Sequence, residues 1–187
     1  EFLKLWQFIV RRICSTEQEF KVFLEFLAFT IQHPEIKINW GVLLAGDPRT
    51  GKDTALKPIA RYLGSLYGAV SNDDASGQFD DYKLKKKVLA FSEIHQPNDV
   101  KFANKLKTTI ASEATTAELL NPKGGLKILQ ENRYSVIGMT NHKNAIFIDK
   151  KRPDDRWFVI PSFGVSQLAN EIGKEKITDL YKWLNDT

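Results

Sequence analysis

Cysteine, histidine and methionine are scarce in this chain, and long apolar runs are missing. A single cysteine, Cys14, excludes an internal disulfide and any cysteine-built metal cluster, and suits a reducing, cytoplasmic setting. Three histidines, His33, His95 and His142, are scattered without ligand spacing, so no structural metal is expected. No apolar stretch approaches the ~20 residues of a membrane span, so no membrane partner is expected. The chain opens at Glu1 without a signal-peptide layout and reads as a piece cut from a longer protein. Neither sign of charge is in large excess: 27 Lys and Arg face 23 Asp and Glu, a net +4. That balance permits a polyanionic partner without requiring one.

What is present suits one soluble globular core with a helical appendage: 187 residues, 42% hydrophobic, without repeats or low-complexity tracts. Phe2, Trp6, Ile9, Val10 and Ile13 recur at helical spacing. A second helix is expected from Ser15, with Gln18 as a capping-box partner, running through Phe20, Phe23, Leu24, Leu27 and Ile31 to His33-Pro34. From Trp40 the pattern changes. "GVLLA" (41–45), "KVLAF" (87–91), "YSVIGMTN" (134–141) and "RWFVIP" (156–161) read as buried strands. Residues after Lys52, 99–112 and 175–185 read as helices, Pro58 interrupting the first, and 68–81 as a loop. "NPKGG" (121–125) signals the turn of a hairpin. Strands alternating with helices predict an α/β fold: a P-loop NTPase core whose mainly parallel sheet is flanked by helices, behind a small helical segment. The division expected is 1–38 helical, 39–165 core and 166–187 a C-terminal helix.

The chemistry centres on "GDPRTGKDT". Gly46, Gly51 and Lys52 meet the phosphate-loop spacing G-x-x-x-x-G-K-[ST], and Asp53 stands where a hydroxyl is usual. The loop lies between a strand and a helix, the context in which glycines let backbone N–H groups approach phosphates and a helix N-terminus adds its positive end. Lys52 would supply a point charge to the β and γ oxygens. The bland alternative is a glycine-rich turn. Glu93, after "KVLAF", suits orienting or deprotonating an attacking water, or is a solvated strand-end acid. Asn141 suits a γ-phosphate sensor, or an Asx cap. Arg152 and Arg156 in "KKRPDDRW" are candidates for a charge-stabilising arginine given across a subunit boundary, unless Arg156 merely pairs with Asp154 or Asp155. Lys101 and Lys105, at i and i+4, give one helix a basic face for DNA phosphates. Lys83, Lys85, Lys86 and Lys87 form a second cluster. Either group is equally readable as solvated surface.

In order, "LAFTIQHPEIK", "LLAGDPRTGKDT", "KVLAFSEI", "LKTTI", "NPKGG", "SVIGMTN" and "DDRWFVIP" resemble the superfamily III helicase core over roughly residues 20–162. More narrowly, they are similar to the helicase-like regions of phage and plasmid primase-helicase and primase-polymerase proteins. The resemblance implies an AAA+-type ATPase that uses ATP and Mg²⁺. It implies a hexameric ring around single-stranded DNA, with a primase or polymerase domain in the same chain. The setting would be the cytoplasm of a bacterial host, for a viral or mobile-element protein. By position it makes Gly46, Asp47, Pro48, Arg49, Thr50, Gly51, Lys52, Asp53 and Thr54 the nucleotide loop, Glu93 the Walker B acid, Asn141 the sensor and Arg156 the late arginine. It also makes 121–127 a pore hairpin whose Lys123 and Lys127 grip DNA.

The departures suggest alternatives. Walker B shows Ser92-Glu93 where two acids are commoner, and a single Arg156-Trp157 stands where an arginine pair is frequent. A weakly hydrolysing nucleotide-binding module, serving DNA binding or assembly in a primase or polymerase, is therefore a second reading. A small-metabolite kinase fits less well. Walker A usually gives Mg²⁺ a hydroxyl and Walker B an Asp. Here Asp53 and Ser92 would exchange those roles, with Glu93 beside them, unless Thr54 takes over the hydroxyl function one position along. Asp53→Ser should weaken Mg²⁺-dependent nucleotide binding, and adding Ser92→Asp should partly restore it. A double variant no better than the single one would rule out the exchange.

Overall fold

All six residues of strand β1 (Gly41–Gly46) are buried, as a continuous apolar run requires of a strand covered on both faces. In the computed structural model, which describes residues 1–76, 81–119, 126–146 and 155–186 (Asp81, 114–119 and 126–130 as backbone), β1 is an inner strand of a five-stranded sheet. It runs parallel to β6 (Ser135–Thr140) on one side and to β7 (Trp157–Ser162) on the other, with Leu44 level with Met139 and Ile160. β3 (Val88–Phe91) and β2 (Tyr67–Val70) continue the sheet beyond β6, also parallel.

Alternation along β1 sends Val42 and Leu44 to one face and Leu43 and Ala45 to the other. The first face packs against α1 (Phe2–Ile13), α2 (Glu17–Gln32), α3 (Lys52–Leu63) and α7 (Lys174–Asp186), through Ile9, Phe23, Leu56 and Leu184 among others. The second face takes α5 (Val100–Ala111) through Phe102, Leu106 and Ile110. The fold is thus an α/β core of the P-loop NTPase type with a central all-parallel sheet between helices. No described helix is long and apolar enough to cross a membrane. Cys14 is buried, and burial, with Glu19 adding to it, pushes its thiol up to about 12. That leaves it protonated and unreactive at neutral pH.

Several expectations need correction. Residues 68–81 were expected in a loop, yet Gly68, Ala69 and Val70 belong to β2, which its glycine and four-residue length concealed, and Asn72–Ser76 form a short helix, α4. The helix cap lies one residue later than Ser15. Thr16 Oγ1 accepts from Glu19 N, and Glu19 Oε2 accepts from Thr16 N and Ser15 N, because a carboxylate at the third position outcompetes the Gln18 amide. The basic cluster 83–87 is a solvated face only in part, with Lys85 exposed. Lys83 and Lys87 are buried, and Lys87 Nζ donates to the Ile36 and Arg133 carbonyls at 3.0 and 2.9 Å. A short helix, α6 (Leu168–Ile172), precedes α7. Pro58 does sit inside α3, and the Ala55 carbonyl in that turn accepts from Trp6 Nε1 at 2.8 Å. The expected hairpin exists as the antiparallel pair β4 (Ala114–Leu119) and β5 (Leu126–Glu131), apart from the main sheet. Its 121–125 turn lies outside the described residues.

Glycine is obligatory where β1 meets the loop. A Cβ on Gly46 would stand 1.9 Å from Ser162 Oγ and 2.7 Å from the Ser162 carbonyl oxygen. Gly46→Ala should therefore cost about 1–3 kcal/mol or more, read from the urea midpoint. Ser162→Gly should not rescue it, since the backbone clash remains.

Candidate active site

The chain leaves β1 leftward, toward β2, and leaves β6 in the opposite direction, toward β7. Ligands of open α/β sheets bind in the crevice that such a reversal opens at the carboxyl ends of the strands. The predicted loop and Asn141 both lie there.

Gly51 begins the turn into α3 with φ 106°, a left-handed conformation that favours glycine, and its carbonyl accepts from Ala55 N at 2.9 Å. Lys52 follows as the first residue of the helix and is only 6% exposed. Its ammonium donates to the Gly46 and Asp47 carbonyls, both at 2.8 Å, and to Asn141 Oδ1 at 2.9 Å. Burial holds its pKa below the usual lysine range, although Asp53 and Asp47 oppose the shift. An ammonium only donates, so Asn141 must turn its oxygen to Lys52, which leaves its NH₂ edge as a donor to the crevice.

Glu93 stands one residue past Ser92 at the end of β3, exposed, with φ 54°. A left-handed glutamate is a strained residue held by its surroundings. Here the holding contacts are visible. Ile94 N donates to the Met139 carbonyl at 2.9 Å, Thr140 Oγ1 to the Ile94 carbonyl at 2.7 Å, and Gln96 N to the Ala145 carbonyl at 2.8 Å. These bonds join the loops after β3 and β6 and fix Glu93 relative to Asn141. Stacked His95 and His142 rings, 3.7 Å between centroids, cover the same junction.

Asp53, Ser92, Glu93 and Asn141 line one small cavity with Lys52. Ser92 Oγ donates to the Val70 carbonyl at 3.3 Å. Thr54 is buried, and its hydroxyl pairs with Tyr181 OH at 2.8 Å. Arg156 is elsewhere: its carbonyl accepts from Gly41 N at 2.7 Å, at the opposite end of β1. Six residues of strand put it roughly 20 Å from Gly46. Lys101 is exposed on the first turn of α5, whereas Lys105 is half-buried beside the Tyr82 ring. Lys123, Arg152 and Asp154 lie outside the described residues, as does the Lys127 side chain.

Two contributors were missed. A larger cavity of about 420 Å³ lies between the loop and the C-terminal segment, where Gln167, Leu168, Ala169, Ile177 and Tyr181 form the far wall. In the sequence these residues show only core spacing. Arg12 of α1 gave no signal at all, being a basic residue in an amphipathic helix. Its Nη1 donates to the Thr50 carbonyl at 2.6 Å, and its Nε and Nη2 reach Glu171 at 2.6 and 3.0 Å. Ser166 completes the group. One guanidinium thus ties α1, the phosphate loop and α6 together.

Hydrogen bonds from Arg12 and then Ser166 lower the Glu171 carboxyl from its ordinary 4.5 to about 2. Between those values the unfolded chain binds more protons than the folded one, so this contribution to stability is present above pH 4.5 and is lost as pH falls toward 2. Glu171→Gln should flatten that part of a melting-temperature profile and leave the slope above pH 5 unchanged.

The same arrangement of elements recurs in known structures. Two apo structures of the NrS-1 C-terminal region, one of them the A form, superpose with TM-scores of 0.82 and 0.79 at 18% identity, over 97% of this chain. The chain spans 43% of the length of those structures. The likeness therefore concerns the fold. In sequence, residues 44–156, more than half of the chain and spanning everything from the loop after β1 to Arg156, match a family described as of unknown function, DUF5906. This chain belongs to the DUF5906 family.

Proposed function

We propose that this domain binds ATP with Mg²⁺ and hydrolyses it to move along single-stranded DNA. It would be the helicase-like part of a replication protein that assembles as a hexameric ring and carries a primase or polymerase domain in the same chain. The observation that carries this reading is the hydrogen bond from Lys52 to Asn141 in the crevice, with Glu93 fixed beside it.

The loop amides hold the β and γ phosphates, and Lys52 exchanges a bond to a loop carbonyl for one to a phosphate oxygen. Phosphoryl transfer needs mostly positioning and charge stabilisation, which such donors supply. Glu93 orients a water in line with the γ phosphorus and takes its proton as the water oxygen bonds to phosphorus. The bond to the β-phosphate oxygen breaks, giving ADP and phosphate. The Asn141 NH₂ donates to a γ oxygen or to that water. Mg²⁺ suits the donors available, since it takes one or two carboxylates besides phosphates and water, and Asp53, Glu93 and Ser92 are all hard oxygen donors. Asp53 and Ser92 would hold it, with its charge offsetting that of the phosphates. The Thr54 hydroxyl, engaged by Tyr181, suits this less.

Arg156, at the far end of the sheet, would act on the nucleotide of a neighbouring subunit. The β4–β5 ribbon would carry the DNA-gripping residues Lys123 and Lys127, with Lys101 and Lys105 as further phosphate contacts. The altered pair Asp53 and Ser92 favours the second reading, a module that binds ATP and barely turns it over.

The test is ATP hydrolysis with Mg²⁺, with and without single-stranded DNA, beside Glu93→Gln. A motor should show DNA-stimulated turnover that the substitution lowers by about 10²-fold or more, the scale of a lost general base. Tight ATP binding with no turnover, by the ring-forming full-length protein as well, would favour the module.

A further inference from the structure

Arg49 is the non-glycine residue of the phosphate loop that adopts a left-handed backbone, with φ 64°. Glycine would take that conformation without strain, so an arginine there needs a reason beyond chain geometry. The pose is held from several sides. Leu168 N donates to the Arg49 carbonyl at 2.9 Å, Thr50 Oγ1 donates to the Asp47 carbonyl at 3.0 Å, and Arg12 holds the Thr50 carbonyl. What this backbone presents is an exposed guanidinium on the wall of the cavity that also contains Lys52, Glu93 and Asn141. That guanidinium makes no hydrogen bond or ion pair among the described residues. The Asp47 carboxylate beside it is engaged by Gly164 N at 2.6 Å.

The loop thus carries cations at two depths. Lys52 sits deep, its ammonium spread over loop carbonyls and Asn141, while Arg49 stands at the rim. Arg156 is a strand's length away and cannot serve the phosphates held by its own loop. We propose that Arg49 is a catalytic residue acting within its own chain, its guanidinium donating to the terminal phosphate of bound ATP and to the charge that grows there during transfer. It stays protonated throughout, and Glu93 remains the proton acceptor. A planar fork of donors matches phosphate oxygens better than a second lysine would. Arg49 would therefore make the site distinguish a triphosphate from a diphosphate. The inference rests on the ATP reading above.

The experiment compares affinities for a non-hydrolysable ATP analogue and for ADP, both with Mg²⁺, in the wild type, Arg49→Gly, Arg49→Asn and Arg49→Lys. Glycine and asparagine both accept the left-handed backbone, so these variants should melt no lower than the wild type without nucleotide. They should lose about 10- to 100-fold in affinity for the analogue, the worth of one or two charge-assisted hydrogen bonds, and keep ADP binding near the wild-type value. Arg49→Lys should fall between. An equal loss for both nucleotides, or no loss, overturns the proposal while leaving ATP binding intact. A wild type that binds neither nucleotide overturns this proposal and the ATP reading together.

Discussion

Lys52 carries its charge to a place that water barely reaches, and the site is organised around the need to solvate it. A buried ammonium without partners would be prohibitively unfavourable. Its protons are met by the Gly46 and Asp47 carbonyls and by the side-chain oxygen of Asn141. Each of those acceptors belongs to a different requirement of the fold. Gly46 ends the central strand against Ser162, Asp47 also accepts from Thr50, and Asn141 follows the strand that pairs with β1. One lysine therefore ties the loop to the end of the central strand and fixes the orientation of the Asn141 amide.

The sequence made the framework of this arrangement legible because the framework obeys local rules. A strand, a glycine-bearing loop and a helix in direct succession can be read from residues 41–63 alone, and Glu93 and Asn141 could be found as polar residues ending apolar runs. What escaped was whatever depends on distant chain segments. β2 is too short for its alternation to register, and it becomes a strand only by pairing with β3. Lys87 looks like surface until the carbonyls of Ile36 and Arg133 are known to surround it. Arg12 and Tyr181 lie at ordinary positions of amphipathic helices. Their importance comes from being more than 35 residues from Thr50 and more than 120 from Thr54, a separation no local pattern encodes.

The parallel sheet also divides its labour between its two ends. Gly46, Glu93 and Asn141 collect where the strands finish. Arg156 and the base of the β4–β5 ribbon collect where β6 and β7 start, with Asn132 N bonded to the Glu113 carbonyl at 2.6 Å to close the ribbon. The loops that carry Glu93 and Asn141 are bonded to one another across the finishing end. A shift of one strand along its axis would thus be felt at both ends at once, which gives the sheet itself a mechanical part in any coupling between them.

The place of β1 between β6 and β7 has a consequence for the chain as it is made. Its two partners are encoded about a hundred residues downstream, and β7 comes last of the sheet. At ~5–20 residues per second of synthesis, "GVLLAG" waits for several seconds or longer with both edges unpaired and apolar side chains on both faces. During that interval Gly46 has no Ser162 to close against, and until β6 emerges Lys52 has no Asn141 to orient. The geometry of the loop can close only once β7 has been made, which makes the waiting strand the stretch of this domain that most needs shielding while the chain grows.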